Sequence, residues 1–257
     1  MNKTIKTIII DDNKEAVNEN KAATNANKET AEDNKATDIL SSVDIIINAG
    51  RAGSAWSGGD VWKDPKLVAK LQKWVYEGGI FIGVNEPSAV SDSMNGFAMA
   101  GVLGVGEDDG SRVCHGRWAF DIDKELADKI FVNGSDIPAK ADIYLTDGEA
   151  KVLAEKNCLP TFTIHEYGRG KGVYMSGFEK NNANTRMLLN LLIHTKGLDE
   201  DQSYITDDPD TECAYYPDSR KLVVINNSEA EKHTKVRTGK GVVEFDLKPF
   251  ESRIAEI

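Results

Sequence analysis

The sequence predicts an α/β protein, an open and mostly parallel sheet with flanking helices, followed by a small all-β module. Three observations carry this. Continuous apolar runs at Val43–Ile47 and Ile80–Val84 flank an amphipathic stretch, the strand–helix–strand order of a parallel crossover. Strand-like and helical patterns alternate again between residues 151 and 194. Beyond residue 212, five short runs separated by turn residues read as strands at sandwich-like spacing.

Taken in order, Lys6–Ile10 reads as a short buried strand closed by Asp11-Asp12-Asn13. Asn-Lys then recurs every seven residues, in NKEAVNE, NKAATNA, NKETAED and NKATDIL. A coiled coil needs two apolar positions per repeat, and only Val17 and scattered alanines are on offer. The stretch therefore reads as a polar, partly helical insertion. Val43–Ile47 is a buried strand, followed by the Gly/Ser-rich loop Gly53–Gly59. Asp64-Pro65 opens a helix, a cap and then proline in the first turn. Its apolar face is Leu67, Val68, Leu71, Trp74 and Val75, and Gly78-Gly79 ends it before the strand Ile80–Val84.

Residues 90–150 are less regular, with an insertion around Asp108-Asp109-Gly110. Lys151–Ala154, Thr161–His165 and Gly172–Met175 read as strands, the last two joined as a hairpin at the sheet edge by Gly168-Arg169-Gly170. Asn182–His194 is a helix with Met187, Leu188, Leu191 and Leu192 on one face. The expected organisation is a first strand and NK insertion over 1–42, an α/β domain over 43–198, an acidic linker over 199–212 and a β module over 213–257.

With 31 Lys+Arg against 42 Asp+Glu in 257 residues, the net charge is −11, which argues against a nucleic-acid partner. No apolar stretch approaches the roughly 18–20 residues of a membrane span. The run Ile8-Ile9-Ile10 is cut short by Asp11-Asp12, unlike a signal peptide. Cys114, Cys158 and Cys213 lie far apart without metal-ligand spacing, which fits reduced thiols in a cytoplasm and no structural zinc. The phosphate-cradling GxxxxGK[ST] pattern is absent, and neither a metal nor an organic cofactor is expected.

Open parallel sheets place their sites at the carboxyl ends of strands, which directs attention to Asn48–Gly59 and Asn85–Ala89. The second loop is where class I glutaminases carry a nucleophilic cysteine on a sharp elbow. Gly83-Val84-Asn85-Glu86-Pro87 has neither Cys nor Ser there, so the domain reads as glutaminase-like with the nucleophile lost. His165-Glu166 resembles the base-and-orienter pair of such enzymes without a nucleophile to serve. Glu86 suits either acid–base work or pairing with a Lys or Arg, and a lone carboxylate favours the second. Trp56 and Trp62 suit stacking on a sugar ring or plugging a local core. Ser54, Ser57 and the glycine N–H groups suit hydroxyls or an anion. His115 and His194 show no metal-ligand spacing.

Three stretches, VDIIINAGRAGSAWSGGDVW (43–62), KLQKWVYEGGIFIGVNEPSA (70–89) and TIHEYGRGKGVYMSGF (163–178), with the helix containing Asn184-Thr185-Arg186, resemble the 1,3-β-galactosyl-N-acetylhexosamine (galacto-N-biose/lacto-N-biose) phosphorylases. The resemblance covers the middle and C-terminal regions, roughly 43–257. It implies a glutaminase-like domain and a small β domain, which in the family follow a TIM-like barrel that carries the catalytic carboxylate. The family splits its disaccharide with phosphate, inverting to α-galactose 1-phosphate, without metal or cofactor. No position here matches the barrel, so no catalytic residue is carried over. The resemblance implies that Ser54, Trp56, Ser57, Gly58, Gly59 and Glu86 help close a sugar site, with a galactoside or a barrel domain or subunit as partner. The alternative is an independent carbohydrate-binding or oligomerisation module. Catalysis by this chain alone, through Glu86, His165 or the Gly/Ser loop, lacks the clustered acid and cationic phosphate pocket it would need.

Overall fold

The computed structural model describes residues 7–9, 39–51, 59–89, 96–108, 119–198 and 203–257. The NK repeat (13–38), Ser54, Trp56, Ser57, Gly58, His115 and the Asp109-Gly110 insertion lie outside the described residues. Two compact units emerge. One comprises residues up to Lys124 with Ile137–Phe178, the other Glu125–Asp136 with Glu179–Ile257.

The first unit is built on a six-stranded mixed sheet. Strand β1 (Thr7–Ile9) pairs in parallel with β2 (Ile45–Gly50), where Ile45 and Ile46 are buried. Helix α1 (Pro65–Tyr76) starts where a cap was expected: the Asp64 carboxylate accepts from the Lys66 N–H at 2.9 Å and Pro65 occupies the first turn. Leu71 and Val75 are its buried stripe, and the chain returns as β3 (Ile80–Asn85), parallel to β2 with Ile45 opposite Ile80. Ile80, Phe81 and Ile82 are all buried, the signature of a strand covered on both faces.

The segment read as irregular contains the short helix α2 (Ala100–Leu103), then β4 (Val105–Glu107) and β5 (Ile143–Leu145), a separate antiparallel pair. Strands β6 (Lys151–Lys156), β7 (Leu159–Tyr167) and β8 (Gly170–Met175) complete the main sheet in the order β1-β2-β3-β8-β7-β6. Pairings β1–β2, β2–β3 and β3–β8 are parallel, while β8–β7 and β7–β6 are antiparallel. The β7–β8 hairpin was expected at the sheet edge. Instead β8 lies in the interior beside β3, and β6 forms the edge. The reason is visible in β8, whose Val173-Tyr174-Met175 run is buried throughout and would be wasted on an edge. Gly172 permits this packing, because a Cβ there would lie 1.9 Å from the Val102 carbonyl oxygen of α2.

In the second unit, α3 (Lys124–Ile130) contributes buried Leu126 and Ile130. Helix α4 (Asn182–Thr195) is capped by Asn181, whose side chain accepts from the Asn184 N–H at 2.7 Å. The five strands expected after residue 212 are all present: β9 (Thr211–Tyr216), β10 (Lys221–Asn226), β11 (Lys232–Thr238), β12 (Gly241–Leu247) and β13 (Ser252–Glu256). They form a three-stranded sheet, β13-β10-β9, and a β11–β12 hairpin. Leu222, Val224, Val236, Phe245 and Leu247 make up their buried core.

Candidate functional site

The carboxyl ends of β2 and β3 are tied together by their own loop residues. Asn48, fully buried, accepts from the Ser88 N–H at 2.6 Å, and the Glu86 N–H donates to the Gly50 carbonyl at 2.9 Å. Ser88 Oγ accepts in turn from the Met99 N–H at 3.0 Å. Asn85 and Ser88 hold left-handed backbone angles, φ 69° and 54°, and Pro87 closes against Gly83. A sharp turn thus presents Glu86 at the end of β3. Backbone strain of this kind persists only where surrounding bonds over-determine it.

Glu86 is not alone there. Lys140 places its ammonium 2.8 Å from Glu86 Oε1 and 2.6 Å from Glu107 Oε1, and all three side chains are largely shielded from solvent. The Tyr174 hydroxyl donates to the Asn85 carbonyl at 3.2 Å. Lys140 is set in place from the residues just after β8: Ser176 Oγ donates to the Pro138 carbonyl at 2.6 Å. At Gly177 a Cβ would meet Pro138 Cγ at 2.4 Å, so only glycine lets that segment cross so closely. Two carboxylates around one ammonium leave the cluster with a net negative charge. It is suited to hydroxyl donors rather than to an anion.

Burial pushes the Tyr174 phenol well above its ordinary value of 10.0, and the carboxylates of Glu107 and Glu86 add to that. For Lys140, burial pulls the other way, but its hydrogen bonds to Glu107 and Glu86 outweigh it and leave the ammonium raised from 10.5. Both groups favour the protonated form more when folded than when unfolded. Their contribution is therefore present in full below the unfolded values and lost as pH rises through the folded ones. The urea midpoint of this unit is expected to hold steady from neutral pH to about 9 and to fall beyond about 10. A flat profile through pH 11 would contradict the cluster.

Of the other expected residues, Gly59, Trp62, His165 and Glu166 are among those described. Gly59 begins a short 3-10 helix, Gly59–Lys63. Trp62, in the same helix, is a core plug, buried and edge-on to Phe81 with ring centroids 6.2 Å apart. His165 is buried, with Nδ1 3.0 Å from the Val102 carbonyl and Nε2 3.3 Å from Asp147. In the sheet it lies level with Gly172 and Phe81, about 16 Å along the strands from Glu86. Glu166 pairs with Lys171. His165-Glu166 and Glu86 thus do not form one site. Lys140 and Glu107 were missed by sequence reading, since no local pattern links them to Glu86. Among the described residues no group of three or more His, Cys, Asp or Glu side chains gathers to hold a metal. No described helix is long and apolar enough to cross a membrane.

The fold and site define a mixed α/β unit with a polar cluster at its strand ends, joined in one chain to a second unit of two helices and a small C-terminal all-β module. The chain belongs to the lacto-N-biose phosphorylase family: residues 14–200 match its central domain and residues 204–255 its C-terminal domain. It is 43% identical over 215 residues to a D-galactosyl-β-1→4-L-rhamnose phosphorylase of Lachnoclostridium phytofermentans, covering 84% of this chain and 30% of that one. It is 28% identical over 248 residues to a 1,3-β-galactosyl-N-acetylhexosamine phosphorylase of Bifidobacterium longum, covering 82% and 33%. The chain therefore spans about a third of the length of these relatives. A β-galactosidase structure from Rahnella sp. R3 aligns at 15% identity with a TM-score of 0.43, over 82% of this chain and 32% of that one.

Proposed function

We propose that this chain is the middle and C-terminal portion of an inverting β-galactoside phosphorylase. In this reading it works with a TIM-like barrel in a cytoplasmic setting and does not turn over substrate by itself. The observation that carries the reading is the tandem match of its two regions to the central and C-terminal domains of one phosphorylase family. The turn after β3 supports a glutaminase-like ancestry, with Asn85 at φ 69° on the elbow and no nucleophile.

The role assigned to this chain is to close the sugar site. Glu86, held by Lys140, accepts a sugar hydroxyl, while Ser54, Trp56, Ser57, Gly58 and Gly59 complete the rim. In the full reaction a phosphate oxygen attacks the anomeric carbon and the glycosidic C–O bond breaks. The departing oxygen takes a proton from the barrel's carboxylic acid, leaving α-galactose 1-phosphate and the free acceptor. The relatives share the β-galactosyl half and differ in the acceptor, and the relative at 43% identity is a D-galactosyl-β-1→4-L-rhamnose phosphorylase. That disaccharide is the first substrate to try.

The test is a chimera in which residues 39–257 replace the corresponding region of the galactosyl-rhamnose phosphorylase. It is expected to release galactose 1-phosphate, and Glu86→Gln is expected to raise KM about tenfold. A folded but inactive chimera would contradict the reading. Saturable galactoside binding by the isolated chain alongside it would favour an independent carbohydrate-binding module.

A further inference from the structure

We infer that the outer edge of β13, unpaired among the described residues, is a self-association site, and that its occupant is the β13 of a second copy of this chain. Strand β13 is the outer strand of the β13-β10-β9 sheet. In its pairing with β10, the Asn226 N–H donates to the Glu251 carbonyl and the Ile257 N–H to the Arg220 carbonyl. The register Val224↔Arg253 and Leu222↔Ala255 falls in the same phase. Antiparallel ladders alternate bonded and non-bonded pairs, so the backbone groups of Ser252, Ile254 and Glu256 point away from β10.

Those three residues form a set symmetric about Ile254. A two-fold axis beside Ile254 pairs it with its own copy and pairs Ser252 with Glu256 in both directions, so every outward N–H and C=O finds a partner. Glu256 then faces serine rather than a like charge. An axis beside Glu256 would oppose that carboxylate to itself and leave Ser252 unpaired. Arg253 is engaged with Glu251 at 2.8 Å.

The sheet face reinforces this register. Ala214, Val223 and Ile254 share one row across β9, β10 and β13, and Ile254 is 67% exposed. Pairing across the axis would join that row to its copy as one apolar band over six strands. Ser252–Glu256 carries no proline, lysine or bulge to protect the edge, and of its two charges Arg253 is drawn into the pair with Glu251.

Sedimentation of the 257-residue chain over a concentration series tests this. The expected mass is twice 28.2 kDa at the upper end. Ile254→Lys should return it to a monomer of 28.2 kDa, with the unfolding midpoint unchanged at dilutions where the wild type is itself monomeric. Ile254→Pro, which deletes only an outward N–H, should do the same, while Arg253→Gln should remain dimeric. A wild-type chain monomeric throughout, or a dimer that survives both Ile254 substitutions, would overturn the inference. Neither outcome bears on the phosphorylase reading, which rests on the family match and is tested by release of galactose 1-phosphate.

Discussion

Replacing Lys140 with methionine is expected to destabilise the α/β unit by about 2–3 kcal/mol at neutral pH. The methionine keeps most of the apolar stem, so the loss is chiefly electrostatic. What remains is two carboxylates, Glu86 and Glu107, held together by the fold with no cation between them. Their side chains retain 22% and 21% exposure, which is why the figure lies below that for a fully buried pair. Adding Glu107→Gln removes the like-charge contact and should recover more than half of the loss, as a double-mutant cycle in urea would show. A loss below about 0.5 kcal/mol would mean the ammonium contributes no more than a surface pair.

Arg186→Ala should cost the second unit about 3 kcal/mol. The guanidinium of Arg186, on α4, donates to the Thr206, Asp208 and Thr211 carbonyls and to the Thr206 hydroxyl, pinning the acidic turn before β9. Burial pulls its pKa below the usual arginine range, although nearby Asp208, Asp207 and Glu212 oppose this, and it stays charged. Removing it deletes four charge-assisted hydrogen bonds from a half-buried turn, where the Asp208 and Thr211 carbonyls keep only their donors on Thr206 and Thr211, and no single ammonium reaches all four acceptors. Arg186→Lys should therefore restore less than half of the lost stability, measured by thermal unfolding. Full recovery by lysine would show that charge alone, and not the planar fork, holds the turn.

Much of the scaffold was legible because its signals are local. Asp64-Pro65 and the stripe ending at Val75 set helix α1 to within a residue or two. The five late strands follow from alternation between turn residues. Strand order was not legible: nothing in Gly172–Met175 itself says that it inserts beside Ile80–Asn85, and only the buried run Val173–Met175 hints at an interior place. Glu86 was identifiable from its position at a strand end, and pairing with a cation was the favoured outcome. Its partner was not, because Lys140 lies 54 residues away in a segment without periodicity. The quoted motifs turned out to be partly architectural. Asn48 locks the turn after β3, Ser176 and Gly177 seat the Lys140 segment, and Asn184, fully buried, bonds to both backbone groups of Asp136.

The central claim, that the chemistry resides outside this chain, is tested most directly by a phosphorolysis assay on the purified 257-residue protein. With galactosyl-β-1→4-L-rhamnose, lacto-N-biose or galacto-N-biose and phosphate, the account predicts no release of galactose 1-phosphate. Turnover that disappears in Glu86→Gln would contradict it and place the catalytic carboxylate at the end of β3.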